Sequence, residues 1–254
     1  MSKRREQFTD LVSGKGGGGK TELVKFFCMK YPLDRKILVL NPKKEVKYKE
    51  LGFERITYLS ELAKPENKNK RLFEYVPAPI LEKGKKGAKI ESNEKMLDRV
   101  FYNINQLATK RYFNGLLIID DATTLFRFSD NQHVRDTVTT QGQKDLDIIF
   151  IFHGLNNIPR FLSGEIDNYF IFAADGISNS TVKGKIPNRV ILAQEVVNYW
   201  RDFVFAQISS SQNSTYYQKL ILNEYNEFQR VAVYDGKAMY DEYVKNKQDV
   251  SEWY

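Results

Sequence analysis

The sequence predicts an α/β protein in which a mainly parallel sheet is flanked by helices. Three observations carry this prediction. Several runs of strand length are almost wholly apolar, which is typical of strands buried on both faces. Segments with helical spacing alternate with these runs, as they do in parallel sheets. A glycine run at 14–19 also lies between the first predicted strand and the first predicted helix.

The elements are predicted from apolar periodicity and from turn and capping residues. Helix 93–110 is the clearest, because its apolar residues recur at three- and four-residue spacing and Ser92 stands at the N-cap position. Gly142 is expected to stop the helix at 131–140. Predicted strands are 8–12, 37–40, 55–59, 71–76, 115–119, 148–152 and 169–172, and further predicted helices are 21–31 and 131–140.

The chain changes character beyond residue 175. Residues 175–188 are rich in glycine, serine and asparagine, 190–208 have a helical pattern, and 219–222 and 230–234 alternate like a hairpin. We therefore predict a core domain at 1–175 and a C-terminal extension, 176–254, packed on that core. A basic, glycine-containing segment at 82–89 is predicted to be a loop.

Composition limits the function classes. The chain has 254 residues, 42% of them apolar, and its net charge of +7 favours polyanionic partners. Its single cysteine, Cys28, excludes an internal disulfide and gives no metal motif. No apolar run approaches the ~18 residues that span a bilayer, and the N-terminus lacks a leader pattern. The sequence predicts a soluble, cytoplasmic protein without membrane insertion.

The glycine run fits the phosphate-binding pattern G-x-x-x-x-G-K-[ST]. Backbone N–H groups can wrap a phosphate closely only where no Cβ intervenes. The lysine would reach the β- and γ-phosphates, the threonine hydroxyl would ligate Mg²⁺, and the helix N-terminus would favour the anion. The predicted nucleotide-binding residues are Gly14, Lys15, Gly16, Gly17, Gly18, Gly19, Lys20 and Thr21, with ATP and Mg²⁺ as cofactors.

A second predicted part of the site follows the strand at 115–119. Asp120 would hold Mg²⁺ through its water shell, and Asp121 would polarise the attacking water. The alternative interpretation of this pair is a polar turn that ends the strand. His153 follows the next strand, where parallel sheets place their sites, and would sense the γ-phosphate or the water. Its alternative role is a contact with loop carbonyls.

With these motifs, the sequence resembles the FtsK/HerA group of P-loop ATPases, and in particular Zot-like morphogenesis proteins and genome-packaging ATPases of icosahedral phages. The matching stretches are 14–21, 37–45, 116–122 and 148–159. The resemblance implies an additional-strand, RecA-like P-loop NTPase fold, a homomeric ring of six or five subunits and ATP-driven movement of DNA. It further implies a place in the host cytoplasm, at the procapsid vertex, with capsid vertex proteins as partners.

Two details qualify the resemblance. In the family, the strand that leads into the Mg²⁺-binding carboxylate commonly ends in Asp-Glu. Asp121 therefore departs from the family pattern. Zot-like proteins of filamentous phages carry a membrane helix that this sequence lacks, which favours packaging over extrusion.

A ring ATPase also needs a cation from the neighbouring subunit. The candidates are Arg127, Arg135 and Arg160, each of which has an ordinary surface arginine as its alternative interpretation. DNA contacts are predicted for a basic loop, either Lys83, Lys85, Lys86 and Lys89 or Lys183 and Lys185.

Two alternatives stay open. The run from Lys15 to Thr21 also fits the deviant loop of ParA/MinD-like ATPases, in which the early lysine reaches a dimer partner's nucleotide. That family expects Asp-x-Asp after its second strand, whereas this chain has Asn41-Pro42-Lys43. A nucleotide-dependent assembly scaffold with little turnover is the other alternative, and the departure at Asp121 keeps it open.

Overall fold

A computed structural model gives the fold. It describes residues 7–16, 19–42, 47–78, 80–84, 87–110, 113–126, 131–172, 174, 186, 190–191, 194, 198, 216–222 and 228–235. Two compact units make up the chain. The first unit comprises Met1–Thr9 and Pro32–Phe150, and the second comprises Asp10–Tyr31 and Ile151–Tyr254.

The described strands form a large sheet and a separate hairpin. The large sheet has the strand order β11-β10-β9-β1-β8-β7-β2-β4-β3, and β5 pairs only with β6. The strands are β1 (Thr9–Ser13), β2 (Lys36–Leu40), β3 (Glu54–Ile56), β4 (Leu72–Tyr75), β5 (Leu81–Gly84), β6 (Gly87–Ile90), β7 (Gly115–Ile119), β8 (Leu146–Phe152), β9 (Asn168–Phe172), β10 (Tyr216–Leu222) and β11 (Phe228–Asp235).

Seven of these strands, from β9 to β3 in the sheet order, run parallel. The central strands β7 and β8 are buried at every residue, which explains why β7 has no polar side chain and β8 has only one, that of Asp147. The sheet continues beyond β9 with two antiparallel pairings. Strand β10 pairs antiparallel with β9, and β11 pairs antiparallel with β10. The carboxyl ends of the seven parallel strands therefore share one edge of the sheet.

Five α-helices are described in full. Ser92 caps α2 by accepting a hydrogen bond from the Lys95 N–H, and Asn131 caps α4 by accepting one from the Val134 N–H. Residues 190, 191, 194 and 198 are also helical. The helices are α1 (Lys20–Lys30), α2 (Asn93–Thr109), α3 (Ala122–Leu125), α4 (Gln132–Thr139) and α5 (Gln141–Lys144).

In the second unit, strand β1 is fully buried although it is only partly apolar. Its Asp10 carboxylate accepts a hydrogen bond of 2.8 Å from the Asn168 amide on β9. Helix α1 covers this part of the sheet, with the Phe27 ring 5.0 Å from the Phe170 ring in an edge-on arrangement. A paired polar residue and apolar helix packing thus allow a strand of mixed composition to lie in the interior.

In the first unit, α2 places Leu97, Val100, Phe101 and Ile104 in the core, as the apolar spacing predicts. The Phe126 ring packs between Phe101, at 6.3 Å, and Phe150 on β8, at 5.9 Å. None of the helices searched, which are those of the described residues, is long and apolar enough to cross a membrane.

Three local predictions are wrong. The described residues of the basic segment, 82–84 and 87–89, are not a loop, because they belong to β5 and β6, which pair with Leu81 opposite Ile90. Gly142 does not stop a helix but lies within α5, which ends at Asp145 in a left-handed conformation (φ 56°). The strand predicted at 55–59 ends at Ile56, since Glu61 turns the chain into a 3₁₀ helix by accepting the N–H groups of Thr57 and Tyr58.

Candidate functional site

The glycine loop leaves β1 in the second unit at a position where no side chain fits. The Gly14 N–H donates a hydrogen bond of 3.1 Å to the Phe152 carbonyl. A Cβ on Gly14 would lie 2.4 Å from the Phe172 Cβ, which is closer than real Cβ contacts. Gly19 precedes helix α1 with φ 88°, a conformation that favours glycine. Glycine is therefore required at position 14 by the lack of space for a Cβ and is favoured at position 19 by the backbone conformation.

Lys20 is the first residue of α1 and is only 6% exposed. Its Nζ donates hydrogen bonds of 2.8 Å to the Gly14 carbonyl and 2.6 Å to the Lys15 carbonyl. Two loop carbonyls thus accept hydrogen bonds from a buried ammonium group at the N-terminal end of an 11-residue helix. A positive charge and a helix N-terminus in one place favour an anion such as a phosphate.

The other predicted loop residues differ in exposure. Lys15 and Gly16 are exposed, and Thr21 is half-buried in the first turn of α1. Gly17 and Gly18 lie outside the described residues. Ser13, which the sequence did not single out, is fully buried just before the loop, and its Oγ has no hydrogen-bond partner among the residues that the structure describes.

Asp120 follows β7 in the first unit and is 3% exposed. Its Oδ1 accepts the Asp121 N–H at 2.9 Å. Its Oδ2 accepts the Tyr48 hydroxyl at 3.4 Å and lies 3.5 Å from the Lys47 ammonium. Burial raises the pKa of the Asp120 carboxyl above its ordinary value, while the Lys47 charge and the Asp121 N–H oppose that rise.

Asp121 is also buried and has φ 52°, in the left-handed region that non-glycine residues rarely adopt. Its Oδ2 accepts a hydrogen bond of 2.6 Å from the Thr124 hydroxyl on α3. This contact orients the carboxylate next to Asp120. The turn predicted after β7 is therefore present, and it holds two carboxylates in the interior.

The donor set at Asp120 fits a hard cation such as Mg²⁺, which prefers carboxylate and water oxygens. Among the described residues no cluster of three or more His, Cys, Asp or Glu side chains could hold a metal. A single carboxylate is compatible with Mg²⁺ that keeps several waters and takes its other ligands from nucleotide phosphates. The Lys47 ammonium already supplies a positive charge at this carboxylate.

The remaining predicted residues are dispersed. His153 directly follows β8 and is exposed, and its carbonyl accepts a hydrogen bond from the Asn157 amide. Arg160 is exposed in the second unit, and Arg135 is half-buried on α4 of the first. The backbones of Lys83 and Lys89 lie in β5 and β6, where they do not form the predicted loop. Residues outside the described part of the chain are Arg127, Lys85, Lys86, Lys183 and Lys185.

Sequence reasoning missed Lys47 and Tyr48, which both contact Asp120. They lie in a polar stretch after β2, where no spacing pattern marks them. The missing signal is the sheet order: β2 is hydrogen-bonded to β7, and Lys47 and Tyr48, which follow β2 in the chain, contact the carboxylate that follows β7. A prediction of strand order would have pointed to this stretch.

No protein-family model matches the sequence, and no curated protein matches it. Solved structures do match. The genome packaging NTPase B204 from Sulfolobus turreted icosahedral virus 2, in complex with ATP-gammaS, has a TM-score of 0.59 at 13% identity over 90% of this chain and 96% of that chain. This is the fold of a P-loop NTPase.

Two further structures agree. The same packaging NTPase in complex with AMPPCP has a TM-score of 0.59 at 12% identity, over 90% of this chain and 97% of that chain. The DNA-packaging ATPase B204 from Sulfolobus turreted icosahedral virus has a TM-score of 0.53 at 13% identity, over 89% of this chain and 96% of that chain. At these identities the likeness establishes the fold.

The predicted fold class is therefore confirmed, and so is the resemblance to FtsK/HerA-type P-loop ATPases at the level of the fold. Strand β8 lies between β1, which leads into the glycine loop, and β7, which leads into Asp120. It occupies the place of the additional strand that the resemblance implies.

Proposed function

We propose that this chain is an ATPase that moves DNA, most specifically a viral genome-packaging motor that works as a homo-oligomeric ring. The observation that carries the proposal is the buried Lys20 ammonium, held by the carbonyls of the glycine loop at the start of α1. It is supported by a fold shared over nine-tenths of the chain with a packaging NTPase whose structures hold ATP-gammaS and AMPPCP.

The glycine loop is proposed to bind the phosphates of ATP. In this proposal Lys20 leaves the carbonyls of residues 14 and 15 and contacts the β- and γ-phosphates, because a phosphate is a stronger partner for an ammonium than a neutral carbonyl. Thr21 and Asp120 hold Mg²⁺, which neutralises charge on the phosphates when it is bound. The half-buried position of Thr21 in the first turn of α1 supports its role.

Asp121 is proposed to polarise the attacking water and His153 to sense the γ-phosphate. The Thr124 hydroxyl supports the first role because it fixes the orientation of the Asp121 carboxylate. The position of His153 at the end of β8 supports the second. Arg160 and Arg135 remain the described candidates for the cation that a neighbouring subunit supplies, and the exposed Arg160 is the more accessible of the two.

The DNA partner is proposed from the net charge of +7 and from the lysines at 83–89. Contacts to phosphates release counterions, so binding would weaken steeply with salt and would not depend on sequence. A packaging role would place the ring, of six or five subunits, at the procapsid vertex in the host cytoplasm, with capsid vertex proteins as partners.

ATP hydrolysis with and without duplex DNA tests the proposal. We expect DNA to stimulate turnover, and Lys20→Ala to lower it by about a hundredfold or more, the cost of removing one well-placed transition-state donor. The control is Lys30→Ala in the last turn of α1, which should leave turnover unchanged. Wild-type protein that binds neither ATP-gammaS nor AMPPCP would contradict the proposal.

The ParA/MinD-like alternative keeps one supporting observation, since Lys15 is exposed and so accessible to a second subunit. Lys15→Ala separates the two functions. In a dimeric ATPase of that type it should abolish turnover as Lys20→Ala does, whereas in the translocase it should have little effect. Electron microscopy with AMPPCP and DNA gives the second criterion, because a closed ring supports the translocase and a dimer supports the alternative. Negligible turnover with tight nucleotide binding would instead support an assembly scaffold.

A further inference from the structure

The segment that leaves β2 is fixed at its start by a buried polar chain. The Asn41 amide donates to Glu74 Oε1 at 2.7 Å, and Arg55 Nε donates to Glu74 Oε2 at 2.9 Å. Asn41 and Glu74 are 2% and 4% exposed, so the hydrogen bond between them is shielded from water, whereas the Arg55 side chain is 43% exposed. The Asn41 N–H also donates to the Tyr75 carbonyl. Asn41, directly after β2, is therefore held by hydrogen bonds to β4.

Lys47 and Tyr48, the next described residues after Pro42, contact the carboxylate that follows β7. Tyr48 is fully buried, and its ring lies 5.5 Å from the Phe53 ring, which positions the hydroxyl. Both residues converge on one oxygen of Asp120, Oδ2, at 3.5 Å for the ammonium and 3.4 Å for the hydroxyl. The other oxygen of that carboxylate accepts the Asp121 N–H.

These two contacts are long. Hydrogen bonds between an ammonium and a carboxylate are usually about 2.7–2.9 Å, so Lys47 compensates the buried charge without forming a tight pair. About a third of the Lys47 side chain (31%) is exposed, which gives the ammonium a path to solvent. A contact of this kind stabilises the carboxylate and is also easily displaced.

We propose that Lys47 and Tyr48 form a latch on Asp120, occupying Oδ2 in the nucleotide-free protein and leaving it when Mg²⁺ arrives with nucleotide. This inference rests on the proposed function, because it assigns regulation to the same carboxylate. In the latch, the Lys47 ammonium and the Tyr48 hydroxyl occupy the position at Oδ2 that water molecules bound to Mg²⁺ would take. It therefore competes with the metal and makes release of the 47–48 segment a consequence of nucleotide loading.

AMPPCP binding measured by calorimetry in excess Mg²⁺ and in EDTA tests the latch. The readout is the ratio of the two affinities, which is the enhancement by Mg²⁺. We expect Lys47→Met to increase this enhancement about three- to tenfold, the effect of removing a competing interaction worth one ion pair. Affinity in EDTA should stay within about twofold. Lys49→Met, at an exposed lysine two residues further on, is the matched control.

The outcomes separate the latch from the proposed function. An unchanged or smaller enhancement in Lys47→Met would overturn the latch and make Lys47 a support for the metal site. An equal change in both conditions would also overturn it, since Lys47 would then act on the nucleotide. Wild-type protein that does not bind AMPPCP under either condition would end the proposed function and the latch together.

A ligand-free measurement provides a second readout. In EDTA, Lys47→Met should melt at a lower temperature than wild type, because the buried Asp120 carboxylate loses its compensating charge. Tyr48→Phe keeps the ring packed on Phe53 and removes only the hydroxyl. It should increase the enhancement of AMPPCP affinity by Mg²⁺, by a smaller factor than Lys47→Met. This variant tests the latch separately if Lys47→Met folds poorly. Equal melting temperatures for wild type, Lys47→Met and Lys49→Met would count against the latch.

Discussion

Lys20 and Asp120 are both buried charged residues, and the protein compensates them differently. Carbonyl oxygens of the glycine loop surround the Lys20 ammonium, whereas Asp120 receives a backbone N–H, a hydroxyl and a partly exposed ammonium. Buried charges are costly unless they are paired and hydrogen-bonded. In the proposed function, phosphate oxygens replace the carbonyls at Lys20, and hydrated Mg²⁺ replaces the hydroxyl and the ammonium at Asp120.

Gly14 offers the sharpest test at the residue scale. Gly14→Ala should lower the free energy of unfolding by about 1–3 kcal/mol, because the new Cβ would overlap Phe172 in a packed interior. Urea denaturation of the ligand-free protein measures this effect. The control is Gly16→Ala, since a Cβ there meets no atom of the described residues within 4 Å, and it should change stability by less than about 0.5 kcal/mol. Equal stability of the two variants would contradict the close packing of Gly14.

At the scale of elements, the hairpin formed by β5 and β6 is tied to α2 by one ion pair. Arg99 on α2 forms a salt bridge with Glu91, which follows β6, and its Nη2 also donates to the Ala78 carbonyl at 3.1 Å. Glu91 in turn accepts the Ile80 N–H, and its own N–H donates to the Ile80 carbonyl. A single carboxylate therefore closes the hairpin and attaches it to the helix.

This contact predicts a pH dependence. The hydrogen bond from Arg99 holds the pKa of Glu91 below its ordinary value of 4.5, although burial opposes that shift. A carboxylate with a lowered pKa in the folded state contributes stability that is present above the ordinary value and is lost as pH falls through the folded-state value. Glu91→Gln should thus lower the free energy of unfolding at pH 7 by about 1–2 kcal/mol. The difference from wild type should begin to shrink as pH falls below 4.5 and should disappear only below the lowered pKa of Glu91 in the folded protein.

Urea denaturation from pH 7 to pH 3 measures this dependence. Glu165→Gln is the matched control, because Glu165 is an exposed glutamate for which the same change should have little effect at any pH. A wild-type advantage over Glu91→Gln that persists unchanged at pH 3 would show that the stability comes from packing of the hairpin and not from its charge.

At the scale of the whole molecule, the C-terminal part of the chain extends the sheet. Strand β10 pairs with β9 through Tyr217 and Phe172, Gln218 and Ile171, and Lys219 and Phe170. Without this pairing β9 would become an edge strand with unpaired N–H and C=O groups and four buried residues in sequence. Exposed apolar edges of this kind promote aggregation.

A fragment of residues 1–175 tests this role and the predicted division at residue 176. We expect it to aggregate at concentrations where the full chain does not, because nothing covers the edge of β9. Size-exclusion chromatography with light scattering measures the difference. A monodisperse fragment with the melting temperature of the full chain would show instead that residues 1–175 are sufficient for a stable core.

Much of the fold could be predicted because its signals are local. The apolar runs at 115–119 and 148–152, the spacing of the apolar residues in α2 and the Ser92 cap each depend on neighbouring residues, and each was predicted within a few positions. The hairpin β5–β6 was missed because its residues carry lysine and glycine, which favour loops. Pairing across its strands and the Glu91–Arg99 contact outweigh that preference.

The glycine loop, the buried strands and the acidic pair that follows β7 could be predicted, since each of these depends on residue types that lie side by side in the chain. The contacts of Lys47 and Tyr48 with Asp120, and of Gly14 with Phe172, are visible only in the folded protein. Those contacts join residues roughly 70 and 160 positions apart, so they follow from the order of strands in the sheet. Local periodicity does not encode that order.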